Sequence, residues 1–397
     1  MNDVPSRFGD YLLVEKLGVG GMGEIFRAVR AIDDGKTPRE VVIKRILSAY
    51  VTTERYLAAF QAEATVTRAL NHPNVVKVYE YGQVEGQPYL VLESVVGRSL
   101  KQIIHRAKIC AEMLPVGFAL HVIVEVLKAL QHAHTRVDAA GNKLHIVHRD
   151  VSPDNVLISF AGEVKLLDFG IAKANVDRPE TEPGLVKGKY HYFPPEQARG
   201  GVLDARSDVY AAGSVLHELL TGRPRLDGRM LSVMRKLANA ELPPVHETAP
   251  ELEGALSACI SRAMAADRVV RYPSALAFQQ DLARVMVKLT PETSRQTVVD
   301  TMRRLFAKEV AELGPRPVSR PAELPTQVVL HPTEKVYRPT LETVADRPIR
   351  EHSPLASPPT PPADAYDAEP DPLVNDDSDL PTDPHLRLPV IGRSAIR

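Results

Sequence analysis

Cysteine is scarce in this chain. Only Cys110 and Cys259 occur in 397 residues, far apart and without the spacing of a metal site. Two such residues cannot frame a disulfide scaffold, and they fit a reducing compartment. Neither charge sign is in excess, with 49 basic against 50 acidic residues, so no global field draws the chain to nucleic acid or to an anionic membrane. The N-terminus, Met1-Asn2-Asp3-Val4-Pro5, lacks the apolar core of a signal peptide. No apolar run approaches the roughly eighteen residues of a spanning helix. The longest candidate, His121 to Leu130, is interrupted by Glu125 and Lys128. These absences predict a soluble, cytoplasmic chain with neither a membrane nor a nucleic-acid partner.

What is present changes character near Gly314. Beyond it prolines crowd in, with Ser353-Pro354, Ser357-Pro358, Thr360-Pro361 and an acidic run at Asp376, Asp377 and Asp379. Such a stretch cannot bury enough apolar surface to offset its ordering entropy, so residues 314–397 are expected to form a disordered tail. Its Ser-Pro and Thr-Pro steps, or the apolar-basic Leu386 to Ile391, could engage a partner, although a plain linker is the simpler expectation. Before Gly314 the first ninety or so residues read as strands: Tyr11 to Leu17, Glu24 to Val29, Glu40 to Ile46, Val75 to Tyr81 and Pro88 to Leu92. Thr53 to Leu70 reads as a helix capped by Thr52 or Thr53 and stopped by Pro73. Helices dominate from Ser99, including Val116 to His134, Ser207 to Leu220 and Pro273 to Val287. A last one is expected over Pro291 to Leu313, with Thr290 as cap, Pro291 in its first turn, and Val298, Met302, Leu305, Phe306 and Val310 on one face.

Phosphoryl transfer needs few reactive groups but strict placement. Asp150 ends His148-Arg149-Asp150, Asn155 lies five positions on, and Asp168 follows thirteen later in Leu167-Asp168-Phe169-Gly170. Upstream stand Gly18-Val19-Gly20-Gly21-Met22-Gly23 and a lysine closing Val41-Val42-Ile43-Lys44. Glycines there let a hairpin bring backbone N–H groups against phosphate oxygens where a Cβ would collide. A lone glycine loop is a weak signal, and each acidic residue alone could be a turn former. The ordered set is far more specific.

On these motifs the chain resembles the Hanks-type (eukaryotic-like) serine/threonine protein kinases, over roughly Phe8 to Leu289. The stretch His148 to Pro153 looks most like a myxobacterial variant. The resemblance implies an α+β, bilobal kinase fold: a kinase domain at 8–289, with a strand-rich N-lobe over about 8–94 and a helical C-lobe over about 95–289, then an accessory helix at 290–313. It implies ATP with Mg²⁺, or Mn²⁺ in its place, and protein substrates. Residues Gly18 to Gly23, including Val19, Gly20, Gly21 and Met22, would cover the phosphates, and Lys44 would pair with them, held by Glu63; Glu54 falls too early in the helix. Ile25 and Val42 fall where the family packs adenine, and Leu157 is counted with the nucleotide contacts. Leu92 takes the gatekeeper place, with Glu93 and Val95 offering backbone groups. Asp150 would act as catalytic base, with Asn155 and Asp168 as metal ligands. Phe169 and His148 would pack the loop into its active form, with Thr67 where the family stack has Leu or Met. Glu196 would pair with Arg271, and Asp208 would hold the backbone of the His148–Asp150 loop, as structural groups.

Two departures stand out. The family lysine two residues after the catalytic aspartate is here Ser152, and the threonine expected after Gly188 is here Lys189. The two residue types have traded places, which suggests that Lys189 supplies the missing cation and Ser152 the hydroxyl; the bland alternative is a solvent-facing Lys189 and a slow enzyme. Arg149 could receive a phosphate from the activation segment, where Thr181 is the only hydroxyl amino acid between Gly170 and Gly188; Glu180 or Glu182 could instead satisfy Arg149. An active serine/threonine kinase is therefore expected, with a pseudokinase scaffold and a tyrosine-specific enzyme as the competing readings.

Overall fold

Alternation of apolar and polar residues at period two builds the first part of the chain into one antiparallel sheet. The computed structural model describes residues 5–313 apart from 21–22, 32–34, 36, 139, 170–188, 251 and 253. Its strands are β1 (Ser6–Phe8), β2 (Tyr11–Val19), β3 (Gly23–Arg30) and β4 (Glu40–Ile46), followed by helix α1 (Glu54–Ala69) and then β5 (Val78–Val84) and β6 (Gln87–Glu93). The strand order is β1-β2-β3-β4-β6-β5. Register pairs Lys44 on β4 with Ile25 on β3 and with Leu90 on β6, so the lysine is held between two neighbouring strands. Phe60 and Ala64 of α1 pack on Ile46 and Leu90, which docks the helix against the sheet. Thr53 occupies the cap position of α1, but its hydroxyl accepts no backbone bond.

Past β6 the pattern switches to helical. A short strand, β7 (Gly97–Ser99), leads into α2 (Leu100–Ile109), where Ser99 and Gln102 form a capping box. Next come α3 (Val116–His134), β8 (Val156–Ser159) and β9 (Val164–Leu166), with β8 paired between β7 and β9 in a small sheet. Helices α4 (Pro195–Ala198), α5 (Ala205–Thr221), α6 (Met230–Ala238), α7 (Val245–Thr248), α8 (Gly254–Ala263) and α9 (Ala275–Leu289) complete this part. The expected limit on apolar length is exceeded here: α3 runs 19 residues and is long and apolar enough to cross a membrane by composition. Most of it is buried among α5, α9 and α10 (Arg295–Leu305), which makes it the core helix of the domain. Phe118, Leu120, Ile123, Leu127 and Leu130 are fully enclosed, each burial being worth about 1.5–3 kcal/mol.

The chain after α9 departs from the single helix expected over Pro291 to Leu313. Thr290 closes α9, its N–H donating to the Met286 carbonyl at 2.8 Å, so it cannot open the next helix. Pro291 then lies in a turn. Helix α10 is opened by Ser294, whose Oγ accepts from the Gln296 N–H while Thr297 bonds back to Ser294. Phe306 breaks the helix at φ −125°, and α11 (Ala307–Leu313) follows. Val298, Met302, Leu305 and Phe306 are buried against the helical part. The expected tail at 314–397 lies outside the described residues, as do Gly21, Met22 and Thr181.

Candidate active site

The site is built on a loop anchored from below. Asp208, on α5 and almost wholly buried, accepts from the His148 and Arg149 amides at 2.8 Å each and faces His134 Nε2 at 2.7 Å. Burial alone would raise its carboxyl; His134 and the loop amides outweigh burial and hold it below the usual range. These bonds pin Arg149 at φ 66°, a left-handed conformation costly for a non-glycine residue. His148 reads out its own tautomer. Nδ1 accepts from the Asp150 N–H at 3.2 Å, so Nε2 carries the proton that reaches the Leu167 carbonyl at 2.7 Å. Its ring packs on Phe169 with centroids 4.6 Å apart.

Burial lowers the affinity of His148 for a second proton, and His72, His121 and His132 are lowered by the same cause. A histidine lowered on folding is neutral in both states above about pH 6.5, and below it the unfolded chain takes up the proton first. Stability should therefore fall as acid is added, by roughly 1–2 kcal/mol between pH 7 and pH 5, most of it from wholly buried His148 because the partly exposed rings are screened. Glu63, raised by burial, opposes this trend as a single group. Denaturant unfolding at the two pH values checks it. A flat profile, or a slope undiminished in His148→Asn, would count against it.

Above the loop, Lys44 Nζ lies 2.6 Å from Glu63 Oε1 and 2.9 Å from Asp168 Oδ1. Glu63 reaches it because it stands on the sheet-facing side of α1 with Phe60 and Ala64. Burial disfavours the Lys44 charge, but the two carboxylates dominate and hold the ammonium firmly protonated. Burial likewise pushes Asp168 up, and Lys44 first, then Lys189, bring it below the usual carboxylate range. Asp168 itself sits at φ 47°.

Lys189 is brought into the same cluster. Its Nζ lies 2.8 Å from Asp150 Oδ2 and 3.3 Å from Asn155 Oδ1. Asn155 Nδ2 donates to the Asp150 carbonyl and to Oδ2, at 2.7 and 2.8 Å. The hydroxyl half of the residue exchange is not seen: Ser152 Oγ is buried and meets no hydrogen-bond partner among the described residues. Asn155 Oδ1 and the Asp168 carboxylate are hard oxygen donors of the kind Mg²⁺ takes.

The residues expected around a nucleotide base come from three different strands. Ile25, Val42 and Leu157 are half-buried, from β3, β4 and β8. Gly20 N–H closes the glycine hairpin on the Gly23 carbonyl at 2.7 Å, with Gly18 and Val19 still paired to β3. Glu93 commits its amide to the Lys77 carbonyl at 2.9 Å, and half-buried Val95 follows two residues on. The Glu93 side chain is held by Lys165 at 2.7 Å. Lys165 was not anticipated, although a lysine inside the apolar run Val164 to Leu167 is itself a signal. Arg149 Nε is buried without a partner among the described residues. Glu196 and Arg271 meet in a two-pronged pair at 2.7 and 2.8 Å.

A protein kinase domain family matches residues 11–296. The chain is 40% identical over 276 residues to the tyrosine-protein kinase MasK of Myxococcus xanthus, covering 69% of this chain and 43% of that protein. It is 36% identical over 275 residues to the serine/threonine-protein kinase PrkC of Bacillus subtilis, covering 69% and 40%. With the serine/threonine-protein kinase PknB of Mycobacterium tuberculosis it shares 35% over 321 residues, covering 79% and 49%. The chain thus spans less than half the length of these curated relatives. The crystal structure of the Mycobacterium tuberculosis PknI kinase domain superimposes with a TM-score of 0.53 at 27% identity, covering 71% of this chain and 98% of that one.

Proposed function

This chain belongs to the protein kinase family, and from that membership we propose that it is an ATP- and Mg²⁺-dependent serine/threonine protein kinase acting on protein hydroxyls, its own among them. The observation that carries the reading is the convergence of Lys44 on both Glu63 and Asp168, at 2.6 and 2.9 Å. A scaffold that had abandoned catalysis has no need to hold an ammonium between two carboxylates at the cost of burying it and one of them.

In this reading Lys44 holds the nucleotide phosphates, and Glu63 fixes its rotamer. Asn155 and Asp168 would hold the metal, which when bound neutralises phosphate charge. Asp150 orients the acceptor hydroxyl and takes its proton. Lys189, in contact with Asp150 and Asn155, supplies a fixed cation beside the group in flight. Glu196, Arg271 and Asp208 support the loops without touching substrate. Arg149 and Thr181 are proposed as a phosphorylation switch. A reducing, cytoplasmic setting agrees with the two free thiols, Cys110 and Cys259.

The 40% identity to a tyrosine-protein kinase supports a second reading, in which the acceptor is a tyrosine hydroxyl. Transfer from γ-labelled ATP with Mg²⁺, followed by phosphoamino-acid analysis and site mapping, separates the readings. Phosphoserine and phosphothreonine are expected, with label on Thr181. Phosphotyrosine alone would move the acceptor class. Nucleotide binding without any transfer would leave a scaffold.

A further inference from the structure

The family match ends at residue 296, inside the first turn of α10, yet the chain continues through α11. This helix pair is seated, not draped. A Cβ at Gly117 on α3 would come within 2.2 Å of Thr293 Oγ1, and one at Gly162, in the β8–β9 turn, within 2.8 Å of Val299 Cγ2. Both are places where only a bare backbone permits the approach. Beside Gly162, Arg295 Nε donates to the Ala161 carbonyl at 2.7 Å.

The joint between the two helices reaches the segment behind the nucleotide site. The Phe306 ring, nearly inaccessible, meets Phe160 edge-on at 6.2 Å. Two guanidinium groups lie against it, Arg98 at 5.6 Å and Arg106 at 5.1 Å from the ring centroid, and Arg106 is also bound to Glu309 at 2.7 Å. Such cation–ring contacts gain strength where water is excluded. Two of the three partners of Phe306, Phe160 and Arg98, lead directly to the base-binding segment. The Phe160 amide donates to the Val96 carbonyl at 3.0 Å, next to Val95. Arg98 lies on β7 opposite Ile158, and Ser99 opposite Leu157.

We propose that α10 and α11 form a strut that positions the nucleotide-binding segment Glu93 to Ser99, with Phe306 as its positioning residue. The inference rests on the kinase reading and extends it to residues outside the family match. Removing the ring leaves Arg98 and Phe160 only their mutual contact at 5.5 Å, so the Val96 carbonyl and β7 lose most of their backing. Asp150 and Lys189 are held by other contacts. Nucleotide affinity should therefore suffer while turnover at saturating ATP does not.

The test uses the full chain, a fluorescent ADP analogue with Mg²⁺ as the binding probe, and steady-state kinetics. Phe306→Ala should weaken nucleotide binding about tenfold, near 1.4 kcal/mol, and raise KM for ATP in step, with kcat changed by less than about twofold. Phe306→Tyr, which keeps the ring, should restore affinity. A folded Phe306→Ala variant with unaltered nucleotide affinity, or one losing kcat alone, would overturn the strut. Should that variant fail to fold, Arg98→Met keeps the side-chain stem and carries the same test: several-fold weaker binding supports the proposal and unchanged binding overturns it. A wild-type chain that binds no nucleotide would instead overturn the kinase reading beneath it.

Discussion

Alanine at Lys189 is expected to lower kcat about a hundredfold while Mg-nucleotide affinity stays within about twofold of wild type. The lysine ammonium sits 2.8 Å from Asp150 Oδ2, in a pair whose carboxylate is almost fully enclosed. Charge that builds on the transferring group and on the acceptor oxygen would meet that ammonium already in place, with no reorganisation needed. Lys44 is bonded directly to Glu63 and Asp168 and these contacts remain when Lys189 is removed, which is why binding should survive. Single-turnover transfer with wild type and Lys189→Ala gives the number directly. A Ser152→Lys, Lys189→Thr double variant should exceed either single variant, because it returns the cation to the loop and the hydroxyl to the segment. Full activity in Lys189→Ala would eliminate the cation role outright.

Breaking the Glu196–Arg271 pair is the second large effect, on stability in this case. Arg271 is 1% exposed and all five of its N–H donors are used. Two reach Glu196 and three reach the carbonyls of Ala265, Ala266 and Arg206, while the guanidinium lies 4.9 Å from the Tyr210 ring centroid. Arg271→Met leaves the Glu196 carboxylate enclosed without its cation, retaining the Ser207 hydroxyl at 2.8 Å and its own backbone amide, and should cost about 3–5 kcal/mol. Burial would raise the Glu196 carboxyl and Arg271 brings it below the ordinary range. The pair's contribution is thus present above the unfolded carboxylate value, about 4.3, and is lost as pH falls toward the lower folded one. Replacing both residues by methionine should cost less than Arg271→Met alone. Denaturant midpoints for Arg271→Met, Glu196→Met and the double variant decide it, and an additive double variant would contradict the argument.

Much of this could be read from residue order, for identifiable reasons. β4 and α3 take the bounds their patterns suggest because each is bounded by clear breaks and is buried along most of its length. The start of α10 misled because Thr290 and Pro291 have the right chemistry for a helix entrance, yet Thr290 is spent closing α9 and the Ser294–Thr297 box competes better for the following amides. β7 is three residues long, too short for alternation to show. In the site, the side-chain types predict the clustering of Lys44, Glu63 and Asp168, and the residue exchange predicts where Lys189 goes. The Ser152 Oγ, buried and without a partner among the described residues, makes no bond from which a role could be read. The Phe306 contacts join residues about two hundred positions apart, and no local periodicity encodes such a pairing.

The seating of α10 on Gly117 and Gly162 also dictates where this chain can be cut. A fragment ended at the family boundary, residue 296, would remove Val298, Val299, Met302, Leu305 and Phe306 from the surface they cover. Phe160 and the flank of α3 would then face water as a sticky apolar strip. Ending the fragment after Leu313 keeps that strip covered, so a recombinant catalytic core is best designed about twenty residues longer than homology alone would suggest.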